Sequence, residues 1–574
     1  MKDLPIWTPL ASVALAMSWL LPNASPPWLA FHKDAWFAGV LWGVAVVWLF
    51  RRGAVAREPF RLDAFSAILL TMVAMTCWQW WAGIVYFGGH AVMAVLYFGG
   101  AALAIVLGRD WSKANAHQFG DFLFLALLLA AFGTSFLLLV QWLQLPWTGV
   151  WIQEVAPTHQ PYGNLNQPNN AATLLVLGMV AMGWFAHRRW LGPNVWLAGC
   201  AHLAFCVALT GSRIGYLSLT SLVVCAVVIG WSSAAGFRPW RGRLLLLLAA
   251  FVSALVLVHA NLGETVEVQT VASPRAFERD LTTARLFLWN AYLSVTLSNP
   301  WGGLGFQQGF LTQLAAGELG FDLRGLYTWS HNALLDVATW FGLPMAVMVV
   351  ALVLWVLWRS VRAPAQPDRW IYLAGIYAVV LHGMVELPMA FAYFLVPVCL
   401  MTGAALGSLH VPGLSVPRTV VVGWTVGLGV LLGAVTYDYL RIENAFYTWR
   451  FEHARIGKNH PMDVPDTLVL NQFETMLIGL RGTADSLTSQ QVDDFERAIV
   501  HTPSLAAIQH LAEMRMRQGD AVGAQRAADT AVLTAKPHMR EKMAARWRYL
   551  TQMDPAFAAV QWKERPGAEI ARPE

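Results

Sequence analysis

Apolar runs of about one membrane thickness recur along the first 440 residues of this 574-residue chain, separated by polar, glycine-rich or proline-rich connections. Thirteen such runs are centred near residues 14, 42, 74, 98, 130, 179, 203, 222, 253, 346, 380, 400 and 428. Roughly 20 apolar residues cross the hydrocarbon core as a helix, and lipid leaves backbone polar groups no partner outside a helix or a closed barrel. The runs therefore predict transmembrane helices. The first, Trp7 to Leu21, follows Met-Lys-Asp but lacks a small-residue cleavage site, so it is expected to remain as a helix. Two connections, 141–169 and 263–335, are too long to be simple links and predict functional loops.

After residue 440 the pattern changes. Leu505–Gln518, Gly519-Asp520 and Ala521–Lys536 predict a helical hairpin with a third helical stretch behind it, like one unit of a helical-repeat domain. The expected architecture is all-α: a polytopic bundle of 12–13 spans over 1–440, then a soluble helical domain over 441–574.

Composition agrees. The chain is 57% hydrophobic and 13% charged, about half the charge of a soluble domain. Half of the 34 acidic residues lie after residue 440, matched there by an equal number of Lys and Arg, so the net charge of +5 belongs to the membrane part. Its basic residues concentrate in alternate loops: Lys2; Arg51, Arg52, Arg57 and Arg61; Arg109 and Lys113; Arg188 and Arg189; Arg238, Arg241 and Arg243; Arg359, Arg362 and Arg369; and Arg418. The intervening short loops hold only Lys33 and Arg213. Positive charge stays on the cytoplasmic side, so this pattern orients the chain and gives no sign of nucleic-acid binding. It puts the N-terminus in the cytoplasm, with the tail outside for thirteen spans and inside for twelve. Cys77, Cys200, Cys206, Cys225 and Cys399 fall in apolar segments without metal-ligand spacing, and read as small core residues.

Ionisable and polar groups are costly at membrane depth, so each is a site candidate. Four clusters gather on the non-cytoplasmic side. Gly163-Asn164-Leu165-Asn166-Gln167-Pro168-Asn169-Asn170 opens the sixth span. Helix capping accounts for Pro168 and Asn166 but not for five side-chain amides, and Gln167 stands evenly between a cap and a site residue. Thr210-Gly211-Ser212-Arg213 is a tight turn whose one basic residue runs against the charge bias, which points to an anion partner. Arg285 lies on an amphipathic stretch of the large loop, where a solvated face is an equal alternative. Tyr327-Thr328-Trp329-Ser330-His331-Asn332 marks the return of that loop to the membrane. No acid lies within Tyr327–Leu335, and histidine is the usual general base near neutral pH. Finally, His382 and Glu386 are spaced i, i+4 and are expected to pair on one helix face, while Tyr393, just past the turn, is free to face outward.

No HExxH, paired-carboxylate, Walker or Cys/His metal motif occurs, so the expected chemistry needs no metal and no cofactor. Two arginines, a histidine and an amide cluster suit a diphosphate leaving group and an attacking hydroxyl. Guanidinium binds phosphate through paired hydrogen bonds, and holding the departing charge is the largest catalytic contribution.

At these residues the sequence resembles the bacterial protein O-oligosaccharyltransferases of the pilin-glycosylating type, within the O-antigen ligase and polymerase superfamily. The stretches are GNLNQPNNAATLL (163–175), TGSRIGYL (210–217), ARLFLWNAYL (284–293), NPWGGLGFQQGF (299–310), WSHNALLDVATWFGLP (329–344) and HGMVELPMAFAYFLVP (382–397). The tail resembles the C-terminal domain of the protein-glycosylating and polymerase-like branches. The resemblance implies an inner-membrane enzyme with a periplasmic active site, which takes glycan from an undecaprenyl-diphosphate carrier. The acceptor would be a Ser or Thr hydroxyl of an exported, pilin-like protein. His331 matches the essential loop histidine, Arg213 and Arg285 the diphosphate-binding arginines, and Gln167 and Tyr393 two further active-site positions. Asn169, Asn332, His382 and Glu386 are candidate supporting residues.

Two alternatives stand beside this reading. An O-antigen polymerase or ligase would use the same chemistry with a sugar hydroxyl as acceptor. A transporter or lipid flippase would predict inverted repeats and charges near the bilayer midplane, and the sequence shows neither.

Overall fold

The computed structural model describes residues 5–52, 59–146, 149–156, 159–232, 240–259, 281–457 and 462–562. Every one of the thirteen predicted span centres falls within a helix. Among the described residues, eight helices are both long and apolar enough to cross a membrane: Phe31–Arg51, Ala64–Trp81, Gly88–Ala114, Ala116–Trp142, Pro168–His187, Arg241–Val258, Leu343–Arg362 and Arg418–His453. Trp7–Leu20, Pro193–Leu209, Arg213–Val228 and Ala392–Ser408 are shorter apolar helices. The chain is a multi-pass, all-α membrane protein, with a single two-stranded ribbon among the described residues.

It divides into two compact units, each assembled from separated parts of the sequence. The first comprises 1–71, 96–280 and 349–432. At its centre is the Pro168–His187 helix, most of whose residues are buried between the Ala116–Trp142 and Pro193–Leu209 helices. Helices in lipid gain little from excluding water and approach one another through small residues. Gly403 shows why: a Cβ there would stand 2.1 Å from the carbonyl oxygen of Ile105, so only glycine lets the Ala392–Ser408 helix lie against Gly100–Ala114. At one end, Phe60–Leu62 pairs antiparallel with Leu414–Val416. Beside this ribbon Arg109 donates to the Val411 carbonyl and lies 3.8 Å from the Asp63 carboxylate.

The second unit comprises 72–95, 281–348 and 433–574. The anticipated hairpin is present as Leu505–Arg517 and Ala521–Thr534, followed by Pro537–Met553. A further pair, Asn471–Arg481 and Ser489–Ile499, precedes it. The apolar core of these helices reaches beyond the tail, taking in Phe87 and Phe310. Arg540 completes the attachment with a 2.9 Å ion pair to Asp322, and Asp438 accepts the backbone N–H groups of Leu468, Val469 and Leu470.

Three cysteines are buried as expected, but Cys225 is exposed on the Arg213–Ser232 helix and Cys77 is half-buried. Composition marks a residue as apolar without saying which face of a helix it occupies.

Candidate functional site

In the first unit the amide-rich segment resolves into scaffold and site. Gln141, at the end of its helix, grips the segment with both ends of its side chain. Nε2 donates to the carbonyls of Gln153 and Gly163, and Oε1 accepts from the N–H groups of Tyr162 and Gly163. Gly163 takes φ +62°, where a side chain is disfavoured. Asn164 is equally structural: fully buried, it donates to Leu20 and Trp151 and accepts from Gln153. Gln167 precedes the first turn of the Pro168–His187 helix in an extended conformation and makes no capping bond, so capping does not account for its side chain.

Asn169 is the hub. Its Oδ1 accepts from the Ser212 hydroxyl at 2.8 Å, and its Nδ2 donates to Glu386 Oε1 at 3.4 Å. Ser212 in turn accepts from the Gly215 N–H, capping the helix that begins at Arg213. The segment containing Gln167, the turn containing Arg213 and the turn containing Glu386 are thereby joined through one amide. Arg213 is half-buried at its helix start.

One expectation for the fourth cluster is corrected. The helix that carries His382 stops at Gly383 and Glu386 sits in the following turn. Both meet the Pro168–His187 helix, His382 Nδ1 at Thr173 Oγ1 (2.9 Å) and Glu386 at Asn169. Tyr393 does not face outward. It is 2% exposed, stacked on Phe391 at 5.3 Å and edge-on to Trp19. A turn ending in aromatic residues folds back on the apolar interior rather than leaving it.

The second unit contains Arg285, His331 and Asn332. The Leu281–Ser298 helix carries Arg285 half-buried. Trp289, one turn further along the same face, donates its indole N–H to the Ser330 carbonyl at 3.0 Å. The Ser330–Asn332 turn is tightly held. Ser330 Oγ donates to the Asn332 carbonyl and accepts its N–H, and Asn332 Oδ1 caps the Ala333–Phe341 helix through Leu334 and Leu335. Within this frame His331 takes φ +58°, a left-handed conformation that non-glycine residues adopt only when their surroundings hold them there. The residue is half-buried, and its ring meets that of Tyr327 edge-on at 6.3 Å.

An acid does lie beside this turn, contrary to expectation. Asp336, one residue beyond the stretch considered, accepts the Ser330 N–H at 2.7 Å. Its side chain folds back from the first helical turn, a position that spacing alone did not bring to attention. Gln141, Thr173 and Trp289 are likewise not singled out by the sequence. Their only signal was polarity or an indole at a span end. Residues 263–280 of the anticipated large loop lie outside the described residues.

Comparison with known proteins covers the same regions. Residues 161–185 match the family described as protein glycosylation ligase, 198–350 match O-antigen ligase, and 370–541 match the C-terminal part of virulence factor membrane-bound polymerase. A general O-oligosaccharyltransferase of Acinetobacter baylyi is 25% identical over 523 residues, 88% of either chain. A ComP-specific O-oligosaccharyltransferase of the same organism is 24% identical over 248 residues, covering 42% of this chain and 43% of its own. Gln167 and Asn169 fall in the first matched region, Arg213, Arg285, His331 and Asn332 in the second, and His382, Glu386 and Tyr393 in the third. With polar clusters in all three matched regions, on a multi-pass helical frame, the chain is similar to the protein-glycosylating O-oligosaccharyltransferases of the O-antigen ligase superfamily.

Proposed function

We propose that this glycosyltransferase moves an oligosaccharide whole from an undecaprenyl-diphosphate carrier to a Ser or Thr hydroxyl of an exported, pilin-like protein. The reaction would take place at the periplasmic face of the bacterial inner membrane. The observation that carries the protein-acceptor reading is the match to a general O-oligosaccharyltransferase along 88% of both chains.

Arg213 and Arg285 bind the diphosphate and hold the negative charge that grows on it as the glycosidic C–O bond breaks. The acceptor hydroxyl oxygen attacks the anomeric carbon, its proton passes to a ring nitrogen of His331, and undecaprenyl diphosphate departs. Asp336 does not compete for that proton. It is buried and committed to the Ser330 N–H, whereas His331 is half-exposed and aimed by a turn bonded on both sides. Gln167 and Tyr393 are assigned to the active site, with Asn169, Glu386 and His382 supporting their unit through the bonds to Ser212, Asn169 and Thr173, while Asn332 supports the turn that carries His331.

A second reading, with a sugar hydroxyl as acceptor, is favoured by the match of residues 198–350 to O-antigen ligase. Expression in a ligase-deficient host carrying the lipid-linked glycan separates the two. Intact-protein mass spectrometry of a co-expressed pilin should show addition of the whole glycan; glycan appearing only on lipid or polysaccharide would support the second reading. Thirteen spans would put the tail outside the cytoplasm, and twelve inside. A periplasm-dependent reporter fused after Glu574 should be active, and a cytoplasm-only signal would remove one span.

A further inference from the structure

The mechanism leaves several buried carboxylates of the first unit unused, Asp34 among them. Asp34 stands on the fourth residue of the Phe31–Arg52 helix and is 5% exposed. Its Oδ1 accepts the backbone N–H of Ala392 at 2.7 Å, and the Tyr393 N–H also donates to it. Oδ2 accepts the hydroxyl of Tyr97 at 2.9 Å. Tyr97 comes from a π-helical turn, Val95–Gly99, that interrupts an otherwise regular helix. Such turns are rare and re-aim side chains, often beside functional sites. Lys33, 1% exposed, anchors the preceding residue by donating to the Asn23 carbonyl at 2.6 Å.

The first N–H groups of a helix have no partner inside it, and an acidic side chain there is favoured by both hydrogen bonding and the helix dipole. Helices normally take that cap from the residue just before them. Here Phe391 precedes the Ala392–Ser408 helix and supplies none, so the cap arrives from a residue more than 350 positions away. The tip of the helix is thus fixed to two other helices, and Tyr393 is the second residue of that tip. Its ring has little room left: Phe391 stacks at 5.3 Å, Phe394 lies 5.1 Å away, and Trp19 closes the edge.

We infer that Asp34 is a positioning residue for glycosyl transfer, acting through Tyr393 by fixing the start of the Ala392–Ser408 helix, with Tyr97 holding the carboxylate in place. This rests on the assignment of Tyr393 to the active site. A carboxylate that merely stabilised the bundle would affect turnover whether or not the Tyr393 hydroxyl were present. One that acts through Tyr393 would not.

The test is a double-mutant cycle on the purified full-length protein in nanodiscs, using undecaprenyl-diphosphate-linked oligosaccharide and a pilin modified by the wild type. Tyr393→Phe should lower kcat at least about ten-fold. Asp34→Ala should lower it by a similar factor with little change in donor KM. The Asp34→Ala, Tyr393→Phe double variant should be no slower than Tyr393→Phe alone. Asp34→Asn, which still offers an oxygen to both backbone amides, should recover activity to within about three-fold of the wild type, since it retains the cap. Should Asp34→Ala fail to fold, Tyr97→Phe replaces it in the cycle, with a smaller loss that again disappears in the Tyr393→Phe background. Equal fractional losses in both backgrounds, or wild-type kcat in folded Asp34→Ala, would overturn the inference. If Tyr393→Phe alone turns over normally, the assignment of Tyr393 falls, and the inference with it.

Discussion

The two units hold their candidate residues by different means. In the first, the contacts run between side chains on helices far apart in sequence: Ser212 to Asn169, Asn169 to Glu386, Thr173 to His382. In the second, those that set the turn run mostly between side chains and backbone within a few residues: the Ser330 hydroxyl with the Asn332 N–H and carbonyl, and Asp336 on the Ser330 N–H. The first arrangement depends on helix packing, so its geometry is only as good as the bundle. The second is a local turn that sets one ring, stabilised in place at a conformational cost of order 1 kcal/mol or more. Substitutions in the turn should therefore damage chemistry without damaging the fold, and substitutions in the bundle's polar links should do both.

The largest effect tests that contrast directly. His331→Gln keeps a hydrogen-bonding side chain but has no basic nitrogen, so transfer should fall by about 10²–10⁴-fold. Carrier-lipid binding and the melting temperature should stay near wild type. Near-normal turnover at any pH would leave His331 an orienting group and erase the proposed distinction between chemical turn and scaffold.

Arg213→Lys comes next. Charge is retained, but a compact ammonium cannot reproduce the planar fork. Glycosylation rates should drop at least about ten-fold, given what bidentate phosphate contacts contribute. A lysine variant as fast as the wild type would show that only charge is needed at that turn.

Gln141→Leu is the corresponding probe of scaffold. It deletes four hydrogen bonds to backbone groups of the 153–163 segment. Stability should fall by roughly 2–4 kcal/mol, on typical costs for buried groups left unsatisfied. Thermal unfolding in detergent measures it; an unchanged melting temperature with lost activity would make Gln141 a functional rather than a structural residue.

The smallest effect concerns the tail. His501 packs against His90 with ring centroids 3.7 Å apart and against Phe87 at 5.8 Å. Burial, reinforced by the neighbouring imidazole, holds His501 well below its usual value of 6.5. The unfolded chain gains a proton there as pH falls through about 6.5 while the folded one does not, so this contribution to stability is complete above that pH and drains away below it. Melting curves between pH 7.5 and 5 should show the loss, and His501→Phe should reduce it.

The sequence spoke clearly where one physical rule dominated. Lipid demands long apolar helices, and every span centre was recovered from that demand alone. The tail hairpin was visible because Gly519-Asp520 interrupts two helical patterns. Side-chain direction was not visible. Tyr393 follows a turn, which suggested an outward ring, but three neighbouring aromatic rings draw it inside. His382 and Glu386 keep helical spacing, yet the helix ends between them. Asp336 escaped notice because it reaches back six residues to Ser330, a contact set by helix capping geometry rather than by adjacency. Asp34 carried the strongest unused signal, as a charged group in an apolar span, but its partners at Tyr97, Ala392 and Tyr393 emerge only from tertiary packing.

The shared core of the second unit also bears on how the molecule is made. Phe87 and Phe310 belong to the same apolar cluster as Phe495, Trp547 and Val560. A ribosome delivers those last residues long after the first hydrophobic segments have entered the membrane. Until then Phe87 and Phe310 lack most of the neighbours that will bury them, and the stretch leading to His331 lacks the Arg540 partner of Asp322. Maturation of that stretch is therefore a late event in synthesis: a nascent chain halted before residue 540 would sit in the bilayer with its spans in place and its loop unanchored.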